Sequence, residues 1–282
     1  MPVAMSPGRT CAVCLTFDFD AVSAWTGGFG VSTPGFTSRG EFGARVGIWR
    51  VLELLDSYQL KSTFFVPGQT ADTWPEIVKE IQRRGHEISH HGYAHENPAK
   101  LKKEEEKRVL LKGIRSIEAA TGQKPLGYRS PAWDTSPNTI EHLLDNGFVY
   151  DSSLMADDFK PYRVRVGDKY PLRGPAKFGR QTKLLELPPS WYLDDFPAFE
   201  FIWHPVLLNG LRSPSAVYET WQSTFDYMCA NVPGGVYTLT MHPQVIGRAH
   251  LIAMLERLIK HITSRRDIWI ARCAEIVESY TD

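Results

Sequence analysis

Apolar residues fall along the chain in two rhythms. Short apolar and β-branched runs, bounded by Gly, Pro, Asn or Asp, predict strands at 11–19, 62–66, 87–90, 127–130, 148–151, 184–187, 236–241 and 268–271. Between them apolar positions recur at three- and four-residue spacing, which predicts helices at 43–58, 74–84, 103–121, 138–146, 216–229, 249–264 and 273–279. Strand followed by helix, repeated along the chain, predicts an α/β fold: a distorted (β/α) barrel of seven or eight parallel strands, with helices outside. In such a barrel chemistry gathers at the C-terminal ends of the strands. Two segments interrupt the rhythm: 25–39 is rich in Gly, Ser and Thr, and 157–181 in Pro, Gly and basic residues. Both read as long loops on the active face. No repeat or interdomain linker is visible, so residues 1–282 are expected to form one domain.

Composition narrows the function classes. Lys and Arg together number 32, as do Asp and Glu, so the formal net charge is zero and no long-range field would draw nucleic acid. The densest charge run, KKEEEKR at 102–108, mixes signs at helical spacing and predicts a solvated helix face. The N-terminal sequence lacks an uninterrupted apolar leader segment, and no later stretch holds the roughly 18 apolar residues of a membrane span, so a soluble, cytoplasmic protein is expected. Four cysteines are too few for a disulfide scaffold. Cys11 and Cys14 have metal-site spacing, but three residues apart on a strand they point to opposite faces, and both read as buried thiols.

Four constellations carry chemistry. Asp18 and Asp20 end the first strand two residues apart, so their carboxylates can share a face, where they repel unless a cation or proton relieves them. The segment HEISHHGYAH at 86–95 holds four of the nine histidines. If the chain turns helical after His90, His91 and His95 project from one side, and with one carboxylate they form a metal set with open positions for water and substrate. Zinc is the expected ion, and cobalt, nickel, manganese or iron would also suit. Arg129 ends a short strand in GYRSPAW, where it can orient a carboxylate or receive developing negative charge, while Trp133 can wall a pocket. His242 ends the run VYTLTMHP, placed to protonate a leaving amine.

These motifs, in this order, resemble the polysaccharide deacetylase superfamily from Cys11 to about Pro243. TFDFDA at 16–21 is similar to its acidic pair with one residue inserted between the acids, His91 and His95 to its HxxxH, Arg129-Ser130-Pro131 to its Arg-x-Pro, and Leu239 to Pro243 to its Leu-x-x-His-Pro. The resemblance implies Asp18 as general base, Asp20, His91 and His95 as metal ligands, and His242 as general acid. The family's Asp-to-Trp motif is incomplete at Asp151-Ser152-Ser153-Leu154. Trp191-Tyr192-Leu193-Asp194-Asp195 supplies acid and aromatic instead, and is expected to line the pocket, with Asp194 or Asp195 orienting His242.

The stretches 38–68 and 186–199 look like a subgroup that contains peptidoglycan deacetylase-like proteins and cyclic-imide or allantoin hydrolases. The resemblance therefore implies a metal-dependent hydrolase of non-peptide carbon–nitrogen bonds, first an N-deacetylase of an N-acetylated sugar. A small cytosolic cyclic-imide hydrolase is the alternative, because Trp133, Trp191, Tyr192 and Phe196 could stack on a sugar or enclose a flat ring. A non-catalytic carbohydrate-binding barrel is the third reading, opposed by the presence of base, ligands and acid together. The apolar stretch FPAFEFIWHPVLLNGL at 196–211 can cover the pocket or join subunits, and a homo-oligomer is expected.

Overall fold

The computed structural model describes residues 8–280; the first seven residues, on which part of the leader reading rests, lie outside them. The strands are β1 (Cys11–Asp18), β2 (Thr63–Val66), β3 (Glu87–His90), β4 (Gly127–Tyr128), β5 (Tyr150–Asp151), β6 (Tyr162–Val166), β7 (Arg180–Glu186), β8 (Phe201–Ile202), β9 (Leu208–Asn209), β10 (Val236–Met241) and β11 (Ile268–Ile270). The helices are α1 (Pro34–Phe42), α2 (Ile48–Ser57), α3 (Gly68–Thr73), α4 (Pro75–Arg83), α5 (Lys103–Thr121), α6 (Thr139–Asp145), α7 (Asp195–Phe199), α8 (Pro214–Asn231), α9 (Pro243–Ile246), α10 (Ala249–Thr263) and α11 (Cys273–Glu278). Nearly every expected element is present within a few residues.

The main sheet runs β10-β1-β2-β3-β4-β5-β7-β6, with β11 also paired to β1. All these pairings are parallel except β6 with β7. The sheet curls so that the chain leaving β7 meets β10 through a single parallel bridge, Asp194 to Thr240. This is the distorted barrel, closed at one point.

The alternation of side chains explains the two layers of the core. Cys11, Val13, Leu15 and Phe17 of β1 belong to the cluster beneath the outer helices, while Ala12 and Cys14 belong to an interior cluster with Phe65, Tyr150 and Leu185. Cys11 and Cys14 therefore face opposite ways, and both are buried free thiols. Cys273 and Ile276 of α11 join the interior cluster. The first turn of α11 is anchored there, with Cys273 N–H donating to Thr63 Oγ1 at 2.9 Å and Ala274 N–H to Glu87 Oε2 at 3.0 Å. On the outer layer, α10 buries Leu251, Met254, Leu255, Leu258, Ile259 and Ile262, the three- and four-residue stripe of an amphipathic helix. No helix among the described residues is long and apolar enough to cross a membrane.

Three expectations change. The 25–39 segment is not a plain loop: after a π-turn at Ala24–Gly28 it forms α1. Most of 157–181 is a β6–β7 hairpin, and because β7 runs parallel to the other strands, the hairpin tip lies at their N-terminal ends, away from the site. Within the charged run of α5, Glu106 is buried, where Ser136 and Thr139 hydroxyls donate to it, while Lys102, Lys103 and Glu104 are exposed. A carboxylate satisfied by two hydroxyls can sit inside without a cation.

Candidate active site

The ends of β1, β3 and β10 converge on one pocket. Asp18, Asp20 and His91 are 2%, 1% and 1% exposed, and His242 is also buried, at 6%. The turn after β3 is not helical: Gly92 has φ +72° and His95 φ +63°, so a tight left-handed turn, rather than a helix face, brings the two imidazoles together. Their ring centroids are 5.0 Å apart. His91 Nδ1–H donates to the Arg129 carbonyl at 2.8 Å, which leaves Nε2 as the lone-pair nitrogen. That nitrogen lies 3.5 Å from Asp20 Oδ1, and His95 Nε2 lies 3.8 Å from Asp20 Oδ2. One ligand atom from each of Asp20, His91 and His95 falls within 4.8 Å of the others.

These three residues fit a divalent ion by an independent sign. Asp20 Oδ1 is a buried polar atom without a hydrogen-bond partner, and Asp20 Oδ2 has only a long hydrogen bond, 3.4 Å, from Gln244 Nε2. A buried carboxylate so poorly served is costly. Burial, with Asp18 nearby, pushes its pKa up to about 8 despite the opposing pull of His242, and burial pushes His91 down to about 4 and His95 to about 3. Two neutral imidazoles and a carboxylate lacking donors form the donor set a borderline cation takes.

Asp18 is treated differently. Arg129 is fully buried, and its Nη1 donates to Asp18 Oδ1 at 2.7 Å and to Thr16 Oγ1 at 2.9 Å. Its Nε and Nη2 donate to the Ser152 carbonyl and hydroxyl at 3.1 and 2.9 Å. Burial raises the Asp18 pKa, but the guanidinium, with His91 and His242, outweighs it and holds the carboxyl below its ordinary value. Arg129 lies behind Asp18 and does not line the pocket. Of its two expected roles, orientation of the Asp18 carboxylate is the one its contacts support.

His242 points its Nε2 at the acids, 3.7 Å from Asp20 Oδ2 and 3.9 Å from Asp18 Oδ2. Its Nδ1 is 2.7 Å from Asp195 Oδ1, and its backbone N–H donates to Asp195 Oδ2 at 3.0 Å. Asp194 Oδ1 is farther, 3.6 Å, and caps Phe196 N–H at 2.7 Å instead. Asp195 is thus the acid that orients His242, while Asp151 is held by Ser153 elsewhere. Burial disfavours the imidazolium, but Asp195 and Asp194 overcome it and raise the His242 pKa to about 10.

The pocket above these groups encloses about 120 Å³, and Phe29, Trp133, Trp191 and Phe196 are among its walls. The Trp133 and Trp191 rings lie 4.3 Å apart, and Ala132 and Trp133 both adopt left-handed backbone, φ 56° and 49°. Strain of that kind is characteristic of functional sites. Two expected pocket residues are corrected. Tyr192 is 81% exposed and faces a different hollow, because the 3-10 turn at Trp191–Leu193 sends successive side chains apart. Asp195 is fully buried behind His242 rather than in the lining. In the 196–211 stretch, Phe196 faces the pocket while Trp203, Val206 and Leu207 are exposed.

Sequence reasoning missed Phe29, Ala24 and Ala132 in the lining and Gln244 beside Asp20. Only the glycines near Phe29 offered a signal. A Cβ on Gly27 would lie 1.6 Å from the Ala94 carbonyl oxygen, so the segment rests directly on the histidine turn. Gly27→Ala should displace that turn, lowering stability by about 1–3 kcal/mol in urea unfolding. Unchanged unfolding would mean the turn yields freely.

A two-histidine, one-aspartate set, a braced carboxylate and an aspartate-held histidine at the C-terminal ends of barrel strands define a hydrolytic α/β barrel. Comparison with known proteins agrees. Residues 39–150 match the model of the polysaccharide deacetylase family. The chain is 39% identical to a peptidoglycan deacetylase of Helicobacter pylori over 274 residues, covering 93% of this chain and 94% of that one. It is 31% identical to a peptidoglycan deacetylase-like protein of Gibberella zeae, covering 89% and 80%. A crystal structure from Mycobacterium smegmatis, of a protein assigned to the polysaccharide deacetylases, superposes with TM-score 0.87 at 36% identity, covering 98% and 92%. The chain belongs to the polysaccharide deacetylase family, and is a hydrolase of carbon–nitrogen bonds other than peptide bonds.

Proposed function

We propose that this protein is a divalent-metal-dependent N-deacetylase acting on an N-acetylated saccharide. The observation that carries the reading is the buried, donor-starved Asp20 carboxylate between Nε2 of His91 and Nε2 of His95. Asp20, His91 and His95 would hold a divalent ion, which would supply Lewis acidity towards the acetamide carbonyl and the attacking water. Asp18 takes the water's proton on Oδ2, since Oδ1 is bound to Arg129. His242, kept as a cation by Asp195, delivers a proton from Nε2 to the departing nitrogen. Trp133 and Trp191 offer apolar faces against which a sugar ring can pack. The superfamily relatives named for peptidoglycan support a saccharide, and a sugar acetamide needs no more than this machinery.

The test is a panel of N-acetylated sugars and oligosaccharides, assayed for free acetate before and after chelation and on return of zinc, cobalt, nickel, manganese or iron. Acetate release lost with the metal and restored by one of these ions is expected. Release that persists in fully metal-free protein would sink the proposal. A second reading, ring opening of a small cyclic amide, draws on the aromatic walls of the 120 Å³ pocket, which suit a flat ring. Ring opening without acetate release from any sugar would select it.

Asp195→Asn should lower kcat about 10- to 100-fold with little change in KM, because the imidazolium loses its counter-charge and its fixed orientation. A kcat within twofold of the parent would remove Asp195 from the proton chemistry.

A further inference from the structure

On the flank of the barrel, between α1, the segment after α7 and the turn from α9 into α10, lies a hollow of about 430 Å³ that no step of the hydrolysis uses. Arg39, Arg212, Arg248 and His250 line it, opposite one carboxylate, Glu200. That carboxylate is already taken: Arg39 Nη2 pairs with Glu200 Oε2, and Arg39 Nη1 donates to the Phe201 carbonyl at 2.9 Å. Among the described residues Arg212 and Arg248 have no acidic partner, so two guanidiniums remain uncompensated in a concave surface of a chain whose formal charge is zero.

The crowding is built in. Arg50 stands behind Arg248, with its Nη1 donating to the Gly247 carbonyl at 2.9 Å. Both guanidiniums lie over the Phe42 ring, at 6.0 and 3.7 Å from its centroid, a contact that restrains Arg248 beside the hollow it helps to line. Burial lowers the pKa of both Arg39 and Arg248, and each also feels a neighbouring guanidinium, Arg248 and Arg50 respectively, so positive charge is concentrated here. The 15-residue α10 starts at this point with Arg248 in the N-cap place, no side-chain cap and no acid in its first turn, which adds to the positive field.

We propose that this hollow binds a phosphate dianion, either free phosphate or a phosphomonoester, at a site separate from the catalytic pocket. Two unneutralised guanidiniums match two negative charges, and guanidinium forks match tetrahedral oxyanion geometry.

Titration calorimetry of the metal-loaded protein with inorganic phosphate, at constant ionic strength in chloride, tests it. Saturable binding is expected, weakened about tenfold by Arg248→Gln and also by the surface substitution Arg212→Gln, with acetate binding more weakly than phosphate. Arg212→Gln keeps the test open should Arg248→Gln fail to fold. Because phosphate can also seek the catalytic metal, Asp20→Asn is titrated in parallel and should retain binding. Binding that follows Asp20 instead of the arginines, acetate as tight as phosphate, or no saturable binding would overturn the proposal. A sugar phosphate that binds more tightly than phosphate would identify a phosphorylated saccharide as the source; equal affinity would identify free phosphate.

Discussion

Under the proposed mechanism, Asp18→Asn is expected to reduce turnover about 10²- to 10⁴-fold with no change in bound metal. The two acids are near neighbours, yet their surroundings separate them. Asp18 gives one oxygen to Arg129 at 2.7 Å, which keeps the carboxylate ionised and leaves a single oxygen, Oδ2, facing His91 and His242. Asp20 turns both oxygens to the histidines and has no strong donor of its own. An amide in place of Asp18 still offers an oxygen to Arg129 but cannot take a proton from water. Metal content by elemental analysis, measured beside acetate release, decides the matter. Loss of metal in Asp18→Asn would reassign Asp18 to coordination, and Asp20→Asn should be the variant that loses it. His242→Ala should resemble Asp18→Asn, losing turnover with metal retained.

Arg129→Met is expected to destabilise the fold by about 3–5 kcal/mol, the cost of leaving one member of a buried ion pair without the other. The guanidinium is fully buried and joins β1 to β4 and the chain beyond β5 through Asp18, Thr16 and Ser152. Its removal strands the Asp18 charge in a site where burial alone favours the protonated acid. The carboxyl should then take up a proton more readily, so residual activity should survive only at higher pH than in the parent. Urea unfolding and a pH–rate profile read the two effects separately. Stability within 1 kcal/mol of the parent would show that water or a rearranged neighbour replaces the guanidinium. Arg129→Lys should recover part of the stability but little of the geometry, since an ammonium cannot reach Asp18, Thr16 and Ser152 from one plane.

Much of this molecule was legible from local pattern. The strands at 87–90 and 236–241 and the helix at 103–121 match the observed elements, because each has its own period and its own stop signal, such as Gly122 in left-handed conformation after α5. The identity of the ligand and proton-transfer candidates was legible too, since Asp18, Asp20, His91, His95 and His242 all fall where strands end, and a barrel brings those ends together.

Assignments that needed a distance were not legible. Asp194 and Asp195 are adjacent, and nothing in their order shows which one reaches His242; the bridge of Asp194 to Thr240 and the turn into α7 decide it. The HxxxH spacing suggested a helix, but contact with Gly27 and the hydrogen bond from His91 to the Arg129 carbonyl accompany a left-handed turn instead. Tyr192 looked like a pocket aromatic and points outward, whereas Phe29, in a stretch read as loop, closes the pocket. The sequence by itself determined which side chains carry charge and lone pairs and at which strand ends they sit, because periodicity and residue chemistry are local. Only the tertiary structure decided which carboxylate is neutralised by Arg129 and which is left for a cation, because that division depends on burial and on partners more than a hundred residues away.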